Sequence, residues 1–215
     1  MDAEKPSLRA SERDEEARTT FRELMASLLA RELVVVDEMG STIALTPLYA
    51  RAPKGERASG SVPRNHGKNT TLVAALTLEG SAAAMTLEGA IDPPAFLVLV
   101  REILCPSLQP GQTVLLDTLS CPHAAGVRAL IEAAGCQLRF LPSSSPDCSP
   151  IEQAVATIKQ EVRRTGARTR EAVEAAIARA IDHGTPQDAA AFFRHCGFQL
   201  ALQCYPGCTV RRSGR

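Results

Sequence analysis

The sequence carries no net charge: its 215 residues hold 24 Lys and Arg against 24 Asp and Glu. A chain-wide basic field, the usual footprint of a nucleic-acid-binding surface, is therefore absent. No apolar run reaches the roughly 18 residues that a membrane-spanning helix needs. The opening residues, MDAEKPSLRASERDEEAR, are too polar and acidic for a targeting segment. No CxxC pair occurs among the seven cysteines, and their number is odd. That argues against a disulfide framework and for reduced, mostly buried thiols in a cytoplasmic protein. His195, Cys196, Cys204 and Cys208 could in principle ligate zinc, but their spacing matches no standard zinc framework. A Gly-rich phosphate loop and a GxSxG nucleophile elbow are both missing, which weighs against a small-molecule α/β enzyme.

What is present suits one domain with a substantial core: 45% of residues are hydrophobic and 22% charged. Charge is unevenly placed. Arg51 to Lys68 holds five cations against Glu56, Lys159 to Arg170 holds five against Glu161, and the closing RRSGR holds three. Such runs are ordinarily solvated faces. They form a phosphate track only if the fold brings them together.

Periodicity gives the elements. Phe21, Leu24, Met25, Leu28 and Leu29 recur at helical spacing, which predicts an amphipathic helix over about 14–30. ELVVVDEMG reads as a buried strand ending in two acids and a glycine turn, and STIALTPLYA as a second strand. A Gly-, Pro- and base-rich loop follows. TTLVAALTLEG and AAAMTLEGAI read as two strands around a glycine turn, which predicts an antiparallel meander. The pattern then alternates: a helix in DPPAFLVLVREILC, a strand in QTVLLD, a helix ending at Gly135, a strand in CQLRFLP, a helix opened by Ser149, and a last helix carrying Val173, Ala176, Ile177, Ala180 and Ile181. Strands first, then β and α in turn, predict an α/β fold: a mixed sheet with helices on its faces.

Three acids stand out. Asp37 and Asp117 close hydrophobic strands, and acids at such ends face the crevice where open α/β sheets bind ligands. Either could equally be a turn former. Glu152 has two readings. Ser149, Pro150 and Glu152 make a capping box with Pro at the first helical position. Alternatively, Glu152 joins the two aspartates. Three clustered carboxylates repel one another unless a cation lies between them, and oxygen ligands suit Mg²⁺ or Mn²⁺. Two such ions about 4 Å apart suit in-line attack at a phosphodiester. On the same helix, Glu152, Ala156, Lys159 and Arg163 form a stripe beside the apolar face. Lys159 and Arg163 are then either plain surface cations or phosphate contacts near Glu152.

These residues resemble the catalytic domain of insertion sequence family 630 transposases, mariner-related members of the DDE superfamily of endonucleases. The likeness runs from about Ser7 to Leu200. It is carried by VVVDEMG, YARAPKGERASGSVPRNHGKNTTLVAALTLEG, VLLDTLS, AGCQLRFLP and SPDCSPIEQAVATIK, with 34 residues between Asp117 and Glu152. The resemblance implies a ribonuclease H-like mixed five-stranded sheet flanked by helices, with Asp37, Asp117 and Glu152 as catalytic, metal-binding triad. It implies two Mg²⁺ or Mn²⁺ ions, and cleavage and strand transfer on double-stranded DNA in a bacterial, nucleoid-associated setting. Arg64, Lys68, Lys159 and Arg163 are the expected phosphate contacts, and a homodimer or larger synaptic assembly is expected. Residues 1–30 are read as a helical extension and linker, 31–200 as the catalytic domain, and 201–215 as a basic tail. The family's usual helix-turn-helix reader would lie upstream of Met1 or on a separate chain. The chain departs from the family pattern at Thr118, Pro122 (with His123 one position late), Ser144, Cys148 and Val155. Two rivals remain: a non-catalytic DNA-binding or multimerisation module of the same fold, and a small-molecule α/β enzyme using Asp117 and His123.

Overall fold

The structure is a computed structural model and describes residues 13–117 and 124–200. Five strands form one mixed sheet in the order β3-β2-β1-β4-β5. They are β1 (Leu33–Ser41), β2 (Thr70–Thr77), β3 (Gly80–Glu88), β4 (Thr113–Asp117) and β5 (Gln137–Leu141). β1, β2 and β3 pair antiparallel, while β4 and β5 add in parallel on the other side of β1. The meander and the mixed sheet are as the sequence predicts.

Strand residues alternate between two buried layers, as a period of two requires. Leu33, Val35, Met39, Leu72, Ala74 and Leu115 face one layer, which they share with Phe21, Met25, Ile151, Val155, Ile158, Val162, Val173, Ile177 and Phe193. Those partners come from α1 (Glu15–Ala26), α5 (Pro150–Thr165), α6 (Arg170–Asp182) and α7 (Pro186–His195). Val34, Val36, Val73, Ala75, Val114 and Leu116 face the other layer, against Phe96, Leu99, Leu104, Val127 and Ile131. Here the cover is α2 (Pro93–Leu99), a π-helical turn at Val100–Leu104, the short α3 (Cys105–Ser107) and α4 (Ala124–Ala133). The two ends of the domain meet: the Ala30 N–H donates to the Gln199 carbonyl at 2.8 Å, and Phe198 packs edge-on to Phe193 with ring centroids 5.7 Å apart.

Four sequence expectations need correction. The second strand in STIALTPLYA does not form; Thr42 to Asn69 contains no strand. Its backbone is committed elsewhere, because the Arg168 guanidinium donates to the carbonyls of Ile43 and Leu45 at 2.9 Å each. The turn expected at Gly40 is also absent. β1 runs on through Gly40 to Ser41, paired with Thr71 and Thr70. The Asn69 side chain lies over Gly40, where a Cβ would come within 2.4 Å of its nitrogen and the amide would have to move aside. Asp37 therefore sits inside β1 rather than closing it. Among the described residues the last helix is α7, not the Val173 helix. Its start signal was legible, since the Thr185 hydroxyl accepts the Asp188 N–H at 3.2 Å and Asp188 reaches back to the Thr185 N–H at 3.1 Å, with Pro186 between them. The fourth correction concerns Glu152 and belongs to the site.

Candidate active site

Strand parity decides which acids can meet. Asp37 has the parity of Leu33 and Val35, and Asp117 that of Leu115, so both project from the face covered by α5. Glu38, one residue on, has the opposite parity. The parallel pairing of β1 with β4 ends at Val36 opposite Leu116, which puts Asp37 and Asp117 next in line on adjacent strands. Here β4 ends, and β1 continues in partnership with β2 alone. Asp37 thus lies where the sheet changes from parallel to antiparallel.

Glu152 comes from the first turn of α5, which packs on the same face through Ile151, Val155, Ile158 and Val162. Ser149 is the N-cap, but the expected capping box is not made. The Ser149 N–H, which the Glu152 carboxylate would have had to accept, already donates to the Pro146 carbonyl at 3.0 Å. The Glu152 N–H donates to the Ser149 main-chain carbonyl at 3.2 Å instead of to the hydroxyl. Glu152 is exposed, and its carboxylate is free of the structural role that the sequence allowed it.

The charges of Glu152 and Asp117 reach Asp37. The Asp37 carboxyl is pushed up to about 6, first by burial, then by the charges of Glu152, Asp117 and Glu38. A hydrogen bond from the Glu38 N–H at 2.7 Å opposes the rise. Burial also raises Glu38. Repulsion of this kind is what a divalent cation relieves, and an all-oxygen donor set suits Mg²⁺ or Mn²⁺. The donor chemistry fits, although among the described residues no three acids, histidines or cysteines close into a ready-made metal cage.

The fold brings two basic segments together. Glu88 ends β3 and binds both the Lys68 ammonium and the Arg170 guanidinium, the latter at 2.9 Å. Its register partner, Thr70, lies opposite Ser41, so the cluster sits at the edge toward which β1 runs past Asp37. Lys68 is therefore held in an ion pair. Arg64 is exposed, and Lys159 and Arg163 are half-buried. None of these three has an ion-pair partner among the described residues. Thr118, Pro122, His123, Cys204, Cys208 and the RRSGR tail lie outside the described residues. Cys196 is a free thiol pushed up to about 12 by burial, with Cys148 and Asp147 adding to the rise.

Sequence reasoning missed an arginine. Arg18 is fully buried on α1, and its fork grips Asp147, from Nη1 to Oδ1 at 3.0 Å and from Nη2 to Oδ2 at 2.6 Å. Asp147 lies in the turn leading to Glu152. The one visible signal was that Arg18 stands three residues before Phe21, on the apolar stripe itself.

Comparison with known structures agrees on the architecture. The Mos1 transposase paired-end complex with left transposon end superposes with a TM-score of 0.75, at 14% identity over 91% of this chain and 63% of that one. The Mos1 mariner paired end complex with Mn gives 0.66 at 15% identity, over 91% and 62%. The Mos1 transposase catalytic domain with raltegravir and Mg gives 0.62 at 14% identity, over 84% and 90%. The fold is thus the ribonuclease H-like one, a mixed five-stranded sheet flanked by helices. A family model for DDE superfamily endonucleases matches residues 32–174, a span that includes Asp37, Asp117 and Glu152, and the chain belongs to that family. No curated protein matches the sequence. The chain spans 63% of the length of the Mos1 chain in the first of these complexes. Among the described residues, no helix is long and apolar enough to cross a membrane.

Proposed function

We propose that this chain is a transposase catalytic domain, of the insertion sequence family 630 kind, that cuts and rejoins double-stranded DNA. The observation that carries this reading is the meeting of Asp37 and Asp117 on adjacent strands with the charge of Glu152 acting on Asp37. Asp37, Asp117 and Glu152 are the groups that would hold two Mg²⁺ or Mn²⁺ ions. Bound there, the ions supply the Lewis acidity that makes water, and then a freed 3′-hydroxyl, nucleophilic toward a phosphodiester.

The chain's own residues do the rest. The rigid edge of the sheet fixes the two aspartates. The first turn of α5 presents Glu152 to the same crevice, and its N-terminal backbone dipole favours the carboxylate. Lys159 and Arg163 stand two and three turns further along the stripe that starts at Glu152, unpaired and able to hold a phosphate backbone. Arg64 supplies a contact from the loop before β2, and Lys68 does so once DNA competes with Glu88. The partners are transposon ends and target DNA, with a second copy of the chain in a synaptic assembly.

A second reading, a DNA-binding module without catalysis, is favoured by the absence of a ready-made cage among the described residues. One experiment separates the two: the purified chain is incubated with labelled duplex and Mn²⁺ or Mg²⁺, beside Glu152→Gln. Metal-dependent nicking that Glu152→Gln abolishes supports the catalytic reading. Duplex binding with no nicking under any divalent ion supports the module.

A further inference from the structure

The segment that delivers Glu152 is strained at one residue and packs on the core through Leu141 and Cys148. It leaves β5 at Leu141 and enters α5 at Pro150, with a 3₁₀ turn at Pro146–Cys148 between them. Ser144 has φ of +52°, the one non-glycine residue in the left-handed region among those described. An L side chain there is strained and persists only when its surroundings fix the backbone. Within the segment, the Ser145 hydroxyl donates to the Ser143 carbonyl at 3.0 Å, and the Cys148 N–H donates to the Ser145 carbonyl at 3.0 Å. Ser145, Cys148 and Ser149 are buried.

All of those bonds are local. Asp147 makes a long-range polar tie to the N-terminal helix. Three arginines of the N-terminal region converge on it: Arg18 through its two-pronged contact, Arg22 at 3.1 Å and Arg13 at 3.8 Å. Arg18 is wholly buried, whereas Asp147 is 44% exposed. The hydrogen bond from Arg18 holds the Asp147 carboxyl below the usual carboxylate range. A planar fork on a carboxylate fixes orientation as well as distance, which a single ammonium contact does not.

We infer that Arg18 and Asp147 are positioning residues for Glu152, and that α1 is thereby part of the active-site frame. Glu152 makes no cap bond of its own, so its place in the crevice follows from where the first turn of α5 lies. That turn follows directly from the segment that Arg18 clamps. The inference rests on the proposed metal-binding role of Glu152 and adds what aims it.

The test is Mn²⁺ affinity, read as free Mn²⁺ by electron paramagnetic resonance, on the full chain well below each variant's melting temperature. Arg18→Met keeps the apolar stem and removes the fork, and Arg18→Lys keeps the charge without the fork. Arg18→Met is expected to stay folded and to bind Mn²⁺ at least about tenfold more weakly, the scale on which loss of a supporting partner weakens metal sites. Arg18→Lys is expected to fall between Arg18→Met and wild type. In a Glu152→Gln background, Arg18→Met should weaken binding no further, because its effect passes through Glu152. Folded Arg18→Met and Arg18→Lys that bind Mn²⁺ as wild type does, while Glu152→Gln does not, would overturn the positioning role alone. An equal loss from Arg18→Met in both backgrounds would overturn it too, since the pair would then act by general loosening. A wild-type chain that binds no Mn²⁺, indifferent to Glu152→Gln, would overturn the metal-site reading and the inference with it.

Discussion

The ion pair between Arg18 and Asp147 predicts an asymmetry that simple contact counting does not. The two partners share the same bonds, but Arg18 is 0% exposed and Asp147 44% exposed. Asp147→Asn leaves a guanidinium in the interior with one amide oxygen and the more distant Glu15, 3.3 Å from Nε. Stranding a buried charge costs about 3–5 kcal/mol, and the remaining amide oxygen keeps the figure near about 3. Arg18→Met instead removes the buried charge and keeps most of the stem. Asp147 is left with water, Arg22 and Arg13, so the cost stays within about 1 kcal/mol. For a chain of this size each kcal/mol moves the melting temperature by about 2–4 °C. The expected losses are therefore about 6–12 °C for Asp147→Asn and at most about 4 °C for Arg18→Met. The asymmetry also has a pH signature. The Asp147 carboxyl lies below its ordinary 3.8, so its stabilisation is complete above that value and is lost as pH falls through the lowered one. The gap between wild type and Asp147→Asn should be full near neutrality and shrink in acid. Thermal melts of both variants from neutral to acidic pH provide the measurement. Equal losses, a larger loss for Arg18→Met, or a gap that widens in acid would refute the reasoning.

Three further outcomes follow from the same geometry. Glu152→Gln should melt within about 0.5 kcal/mol of wild type, as surface substitutions usually do, because Glu152 is exposed and makes no cap bond; a large destabilisation in a denaturant titration would restore the capping role. Arg168→Ala removes the donor to the Ile43 and Leu45 carbonyls and should cost about 1–3 kcal/mol, with amides at 42–45 losing hydrogen-exchange protection; unchanged protection would show that the loop is held by other means. The chain should bind duplex without sequence preference at about 10⁻⁴–10⁻⁶ M in physiological salt, with Arg64→Ala lowering the salt slope by about 0.9 and Lys68→Ala by less, because Lys68 is already paired with Glu88. Nanomolar, sequence-selective binding in a salt titration would contradict that.

Much of the sheet was legible because its signals are local. Hydrophobic runs and turn glycines located all five strands, but LVVVD and TVLLD are apolar on both faces, so the shared face of Asp37 and Asp117 follows only from the pairing of Val36 with Leu116. Failures arose where distant residues decide. STIALTPLYA looks like a strand by composition, but the carbonyls of Ile43 and Leu45 are taken by Arg168, more than 120 positions away. Gly40 looks like a turn, but the Asn69 side chain lies over it and the strand continues. The capping box at Ser149 failed because its N–H was already spent on Pro146, a contact set by a 3₁₀ turn that the sequence does not announce. The role of Arg18 was not legible, because its partner lies 129 positions away. The Thr185 to Asp188 capping box, by contrast, was fully local and could have been read.

The central claim is that Asp37, Asp117 and Glu152 form one divalent-ion site at the edge of the sheet. Anomalous diffraction from crystals of this chain soaked in Mn²⁺ tests it most directly. The account predicts anomalous density among those three carboxylates, lost in crystals of Glu152→Gln. Well-ordered crystals with no density there, or with Mn²⁺ bound only elsewhere on the chain, would contradict it.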